Sequence, residues 1–168
     1  MFQCLILAAN GQLNLLTRAP DLRQAQQTST LEDCQIHVWR DVEGVSPAEN
    51  LASLVFDLGY RGKIAMETQA VGLTFYNGQA VVTAFDQVLE TGDGIISELR
   101  QDKSMAELDM HRIAACLSDD ALAASLISTK GRAFEGNILA DMQGAVFRRA
   151  GDYAGNEFII GSDKRALL

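Results

Sequence analysis

Residues Lys103–Thr129 read KSMAELDMHRIAACLSDDALAASLIST, and this stretch decides how the chain is organised. Ser104 is followed three places later by Glu107, the spacing of a capping box. The hydroxyl accepts from the Glu107 N–H, and the Glu107 carboxylate reaches back to the Ser104 N–H. Apolar residues recur at Ala106, Met110, Ile113, Leu117, Ala121 and Ala124. Steps of three and four put them on one helical stripe. No proline interrupts the run, and Gly131 is expected just past its end as the left-handed residue. A helix of about 25 residues would be close to 40 Å long. A rod of that length is expected to join two bodies.

Working outward, the segments on its two sides differ in kind. Upstream, residues 2–8 are apolar, Asn10-Gly11 is a hairpin signal, and residues 13–17 form the return strand. Pro20 opens a polar helix over residues 21–27, and residues 35–39 alternate as a half-buried strand. Ser46, Pro47 and Glu49 repeat a helix-start pattern, and Gly59 ends that helix. A strand at 63–67 follows, then a stretch at 71–85 read as helix, with a turn at Tyr76-Asn77-Gly78 as the alternative, an edge strand at 87–90 and a helical turn from Asp93. This alternation is α/β grammar. Downstream, a second helix covers residues 134–150, with a stripe of Ile138, Met142, Ala145, Val146 and Ala150. Glu157-Phe158-Ile159-Ile160 returns to strand type.

Bulk properties exclude several classes. The chain has 168 residues, 48% hydrophobic and 21% charged, which supports a buried core and opposes disorder. Net charge is −8 and no basic stripe occurs, so nucleic acid is not an expected partner. No apolar run approaches a membrane span, and no membrane partner is expected. The start lacks a positive n-region and is read as structure, with the cytoplasm as the expected compartment. Cys4, Cys34 and Cys116 are odd in number and far apart, and are expected to be buried or half-buried free thiols.

The chain carries little recognisable chemistry. His37 and His111 lack any two-histidine metal spacing. Asp119 and Asp120 point about 100° apart on a helix and are expected on a solvated face. Gly161-Ser162-Asp163 lacks the second glycine of a nucleophile elbow. The glycines never assemble into G-x-G-x-x-G. No catalytic, cofactor-binding or metal-binding residue is assigned.

Two stretches carry a family resemblance. Leu99-Arg100-Gln101-Asp102-Lys103-Ser104-Met105-Ala106-Glu107 resembles the junction of the creatinase, prolidase and aminopeptidase P family, where L-R-x-x-K-S-x-x-E opens the "pita-bread" metallopeptidase domain. Ala140-Asp141-Met142-Gln143-Gly144-Ala145-Val146-Phe147-Arg148, continuing through Gly155 to Ser162, is similar to the second helix and first inner strand of that domain in Xaa-Pro dipeptidase-like proteins. Leu15-Leu16-Thr17-Arg18-Ala19-Pro20-Asp21 and Gly59-Tyr60-Arg61-Gly62-Lys63-Ile64-Ala65 look like the later half of the creatinase-type N-terminal domain.

The resemblance implies an α/β fold. By this resemblance, residues 1–100 are expected to be a creatinase-like N-terminal α/β domain, incomplete at its start. Residues 101–168 are expected to hold the first two helices and first strand of an α+β pita-bread domain, truncated. The family's metal ligands (two Asp, one His and two Glu) map onto no residue here, and Asp163 stands where the family has Gly after Gly-Ser. The chain is therefore expected to be a fragment, inactive alone, of a metal-dependent Xaa-Pro dipeptidase or aminopeptidase-like hydrolase. The resemblance implies a divalent metal pair (Mn, Co, Fe or Zn) and a peptide substrate in the complete protein, with none of the metal held by this chain. Phe158 and Ser162 are the candidate active-site wall. The alternative is a non-catalytic creatinase-type module for subunit or protein–protein contact. A homo-oligomer is expected, because open sheet edges and uncovered apolar stripes promote association.

Overall fold

The computed structural model describes residues 2–166. The chain divides into two compact units, Met1–Leu99 and Arg100–Leu168.

The first unit begins with a hairpin. Strand β1 (Cys4–Leu7) pairs antiparallel with β2 (Leu13–Arg18). The loop between them is a turn in which Gly11 N–H donates to Ala8 O and Ala8 N–H donates to Gln12 O, both at 2.9 Å. Gly11 has φ of 85°, the left-handed region that completes a three-residue loop. Asn10 holds the turn by accepting from the Gln12 N–H. A 3-10 turn at Ala19–Asp21 leads into helix α1 (Leu22–Thr28). The chain then returns as β3 (Ile36–Trp39), parallel to β2. The sheet order is β1-β2-β3.

The register places Cys4, Ile6, Leu16 and Trp39 on one face of this sheet. Helix α2 (Pro47–Asp57) packs on that face through Ala48, Leu51 and Val55. Helix α3 (Phe75–Ala84) adds Val81 to the same core. Trp39 Nε1 donates to the Phe2 carbonyl, so its one polar atom is satisfied inside the apolar cluster. Gly78 lies inside α3, not in a turn; Thr74 caps the helix by accepting from the Asn77 N–H.

Strand β4 (Ala65–Met66) pairs parallel with β5 (Glu90–Thr91). The edge strand expected at 87–90 is thus displaced toward its C-terminal end. The ladder bonds Glu90 N–H to Ile64 O and Gly92 N–H to Met66 O set this register. Helix α4 (Ile95–Leu99) closes the unit.

The second unit is a helix pair. Helix α5 (Met105–Ser128) starts at the Ser104–Glu107 capping box, with both reciprocal bonds formed. Such a cap is worth about 1 kcal/mol. Helix α6 (Glu135–Arg148) packs against it. Four sequence expectations change here. The long helix does not join two bodies, since it lies wholly within Arg100–Leu168. It ends with Thr129 as C-cap, and the left-handed position belongs to Arg132 (φ 69°), not Gly131. Its stripe is half covered: Leu117, Ala121 and Ala124 are shielded, whereas Ala106, Met110 and Ile113 are exposed. The reason is length, because α6 has 14 residues against 24 in α5. Finally, the strand expected at 157–160 does not form. A strand exists through its ladder, and among the described residues this segment pairs with no other strand.

Candidate functional site

The two residues read as an active-site wall lie after α6. Phe158 is half-buried and Ser162 is exposed. The Ser162 N–H donates to Glu135 Oε1 at 2.8 Å, and the Ser162 hydroxyl donates to the same oxygen. Glu135 is the first residue of α6, where the helix N-terminus favours a negative charge. This carboxylate ties the segment after residue 155 to the start of α6. Ser162 therefore spends its hydrogen on a structural anchor. Next to it, Asp163 has φ of 52°. That conformation favours glycine, so Asp163 holds it at some cost in backbone strain.

The remaining titratable groups fall apart spatially. His37 Nε2 lies 2.9 Å from Asn14 Oδ1, a buried side chain in the sheet, and donates to it. Burial pushes the His37 pKa below its ordinary value. His111 is exposed on α5, beside the Asp109–Arg112 ion pair at 2.6 Å. Asp119 is exposed, but Asp120 is not on a solvated face. Its Oδ2 sits 3.2 Å from Arg149 Nη1, an ion pair between the helices that lacks hydrogen-bond geometry. Cys4 is half-buried, and burial pushes its thiol pKa up. Cys34 and Cys116 are exposed, contrary to the expectation of shielded thiols. They lie on a short loop turn and on the helix side that α6 leaves bare.

Among the described residues, no three His, Cys, Asp or Glu side chains converge to hold a metal ion. The donors present do not fit a metal pair. His37 is committed to Asn14, Asp120 faces Arg149, and Glu135 holds Ser162.

Sequence reasoning missed one polar cluster. Asp93 Oδ1 accepts from the Thr68 N–H and, at 3.0 Å, from the Gln69 N–H, while Oδ2 accepts from the Thr68 hydroxyl. The Thr68 hydroxyl, then the Gln69 and Thr91 bonds, holds this carboxyl below its usual range. The cluster straps the loop after β4 to the loop after β5. Its signal in sequence is one aspartate before a glycine, which by itself names no partner.

No family profile and no curated protein matches the sequence. Solved structures do match. An Xaa-Pro dipeptidase from Bacillus anthracis aligns with a TM-score of 0.67 at 17% identity, over 89% of this chain and 39% of that one. This is the fold of part of an Xaa-Pro peptidase. An X-Pro aminopeptidase from Thermotoga maritima gives 0.66 at 22% identity, over 89% and 40%. A dipeptidase from Pyrococcus horikoshii gives 0.64 at 17%, over 88% and 39%. The chain thus spans about two-fifths of the length of these peptidases. The resemblance read from the L-R-x-x-K-S-x-x-E junction holds at the level of fold. No helix among the described residues is long and apolar enough to cross a membrane.

Proposed function

We propose that the chain is part of a metal-dependent hydrolase acting on Xaa-Pro peptides and does not itself carry the metal centre. The supporting observation is the match of nine-tenths of the chain to Xaa-Pro dipeptidase and aminopeptidase structures. In this reading a divalent pair (Mn, Co, Fe or Zn) belongs to the complete protein, where it would supply hydroxide near neutral pH and polarise the scissile carbonyl. The side chains described here do not fit that group, so no catalytic step is assigned to them. Phe158 and Ser162 contribute shape: one half-buried ring, and one serine anchored on Glu135. We place the protein in the cytoplasm, a reading supported by three free cysteines. The purified chain is expected to show no Mn²⁺-dependent cleavage of Ala-Pro; measurable turnover that a chelator abolishes would overturn the proposal.

A second reading is a non-catalytic creatinase-type module that makes subunit contacts. It is favoured by the exposed Met110 and Ile113 on α5. Self-association as a homo-oligomer is its expected signature.

A further inference from the structure

The same tripeptide occurs twice in this chain, as Asn10-Gly11-Gln12 and as Asn77-Gly78-Gln79. An Asn-Gly pair carries its own reactants. The backbone nitrogen after the asparagine can attack the side-chain amide carbon and close a five-membered ring, and a glycine there has no Cβ to hinder closure. Asn14, Asn50, Asn137 and Asn156 precede larger residues. Asp93-Gly94 offers the same ring from a carboxyl group. The fold treats these three places differently.

The first pair sits at the tip of the β1–β2 hairpin, where Asn10 and Gly11 are both exposed. Asn10 Oδ1 accepts from the Gln12 N–H at 3.0 Å, which folds the side chain back over the Gly11 peptide. That N–H already points at the oxygen on which negative charge develops during attack. Asn10 Nδ2, the leaving nitrogen, donates to Gln12 Oε1 on the surface, within reach of water. One contact opposes reaction: the attacking Gly11 N–H donates to Ala8 O at 2.9 Å. It is a single turn bond in water, and it can open locally while β1 and β2 stay paired.

The second pair lies inside α3, and Asn77 is half-buried. Gly78 N–H donates to Thr74 O at 2.9 Å. This bond is one rung of a helix, so the nitrogen is freed only when the surrounding turn unwinds. Asp93 spends both carboxylate oxygens on donors from Thr68 and Gln69, and a carboxylate is a far poorer electrophile than an amide.

We propose that Asn10 is a site of spontaneous covalent modification, deamidation through a succinimide, and that the fold spares Asn77 and Asp93. The Gly11 nitrogen gives its proton to a solvent base and bonds to Asn10 Cγ. The Cγ–Nδ2 bond breaks, and Nδ2 leaves as ammonia with a proton from water. One water then opens the ring: at Cγ it gives Asp, and at the main-chain carbonyl carbon it gives isoaspartate. Either product puts a negative charge on a hairpin that has no Asp, Glu, Lys or Arg before Arg18. Isoaspartate also routes the main chain through Cβ. It adds a backbone atom to a loop whose length sets the pairing of Leu7 with Leu13 and Ile6 with Asn14. Leu16 on β2 belongs to the core, so the altered hairpin costs the first unit stability.

Incubation of the full chain in mildly alkaline buffer, followed by peptide mapping with mass spectrometry, tests this. The peptide holding Asn10 is expected to convert about tenfold or more faster than the one holding Asn77. Its product should include isoaspartate, which marks the ring because direct hydrolysis gives only Asp. In concentrated guanidinium the two peptides should convert at comparable rates, since only the fold separates two identical tripeptides. Asn77 converting as fast as Asn10 in the folded chain would overturn the proposal. So would Asn10 staying intact in the folded chain while it converts in denaturant. Asn10→Asp carries the new charge without the extra backbone atom, and the aged chain should melt below it. Equal melting would overturn the assignment of the stability loss to the lengthened loop.

Discussion

Two side chains make the stability of the first unit sensitive to pH, and both act in the same direction. His37 is pressed toward its neutral form by burial, so its folded pKa lies below the ordinary 6.5. The unfolded chain then binds the proton more readily. His37 thus contributes stability that is fully present above 6.5 and is lost as pH falls through the folded value. Asp93 is held in its charged form by donors from Thr68 and Gln69, so its folded pKa lies below 3.8. Its contribution is present above 3.8 and is lost as pH falls further. Urea unfolding across the acid range should therefore show two separate declines. His37→Gln, which can still donate to Asn14, should remove the upper one. Asp93→Asn should remove the lower one and also lower Tm at neutral pH, because a neutral amide is a weaker acceptor for three donors.

At the scale of elements, the α5–α6 pair is set by small residues at one end. Ala121 is 1% exposed between the helices. Beyond α6, Gly151 passes so close that an added Cβ would sit 2.7 Å from Val146 Cγ1 and 2.9 Å from Leu117 Cδ1. The Val146 carbonyl, already accepting from the Gly151 N–H at 3.0 Å, allows little retreat. Gly151→Ala is expected to cost about 1–3 kcal/mol by overpacking. Thermal or urea unfolding checks this, and an unchanged midpoint would show that the exit from α6 is looser than its contacts imply. The far half of α5 has no such constraint. Met105, Met110 and Ile113 stand in water, held in helix by the Ser104–Glu107 cap, the Asp109–Arg112 pair and backbone bonds.

The two units of the whole molecule differ in how much core they own. The first buries Leu16, Trp39, Ala48, Leu51, Val55 and Val81 in one cluster. The second buries Ala121, Ile138 and Val146. Opening free energies follow buried apolar contact, so exchange should not be uniform. Amides of Leu16, Leu51 and Val55 are expected to exchange most slowly. Those of residues 108–113 should exchange orders of magnitude faster, despite sitting in a continuous helix. Mass-spectrometric hydrogen exchange reads both sets in one experiment, and equal protection would mean that the bare half of α5 is covered in solution.

Local chemistry determined most of the elements directly from sequence. Asn10-Gly11 turns the hairpin, Ser46-Pro47 starts α2, and Ser104 with Glu107 starts α5, because each signal acts within a few residues of itself. The family likeness was legible in the run from Leu99 to Glu107 for the same reason. What sequence could not determine was which element finds a partner. The 157–160 segment has strand composition but no ladder, β5 forms at Glu90–Thr91 because β4 sets its register, and the α5 stripe is bare wherever the shorter α6 does not reach. Asp93 was one aspartate among many until folding brought Thr68 and Gln69 to it from 25 and 24 residues away. Pairing, coverage and long-range hydrogen bonds depend on what lies alongside, and only the tertiary structure decides that.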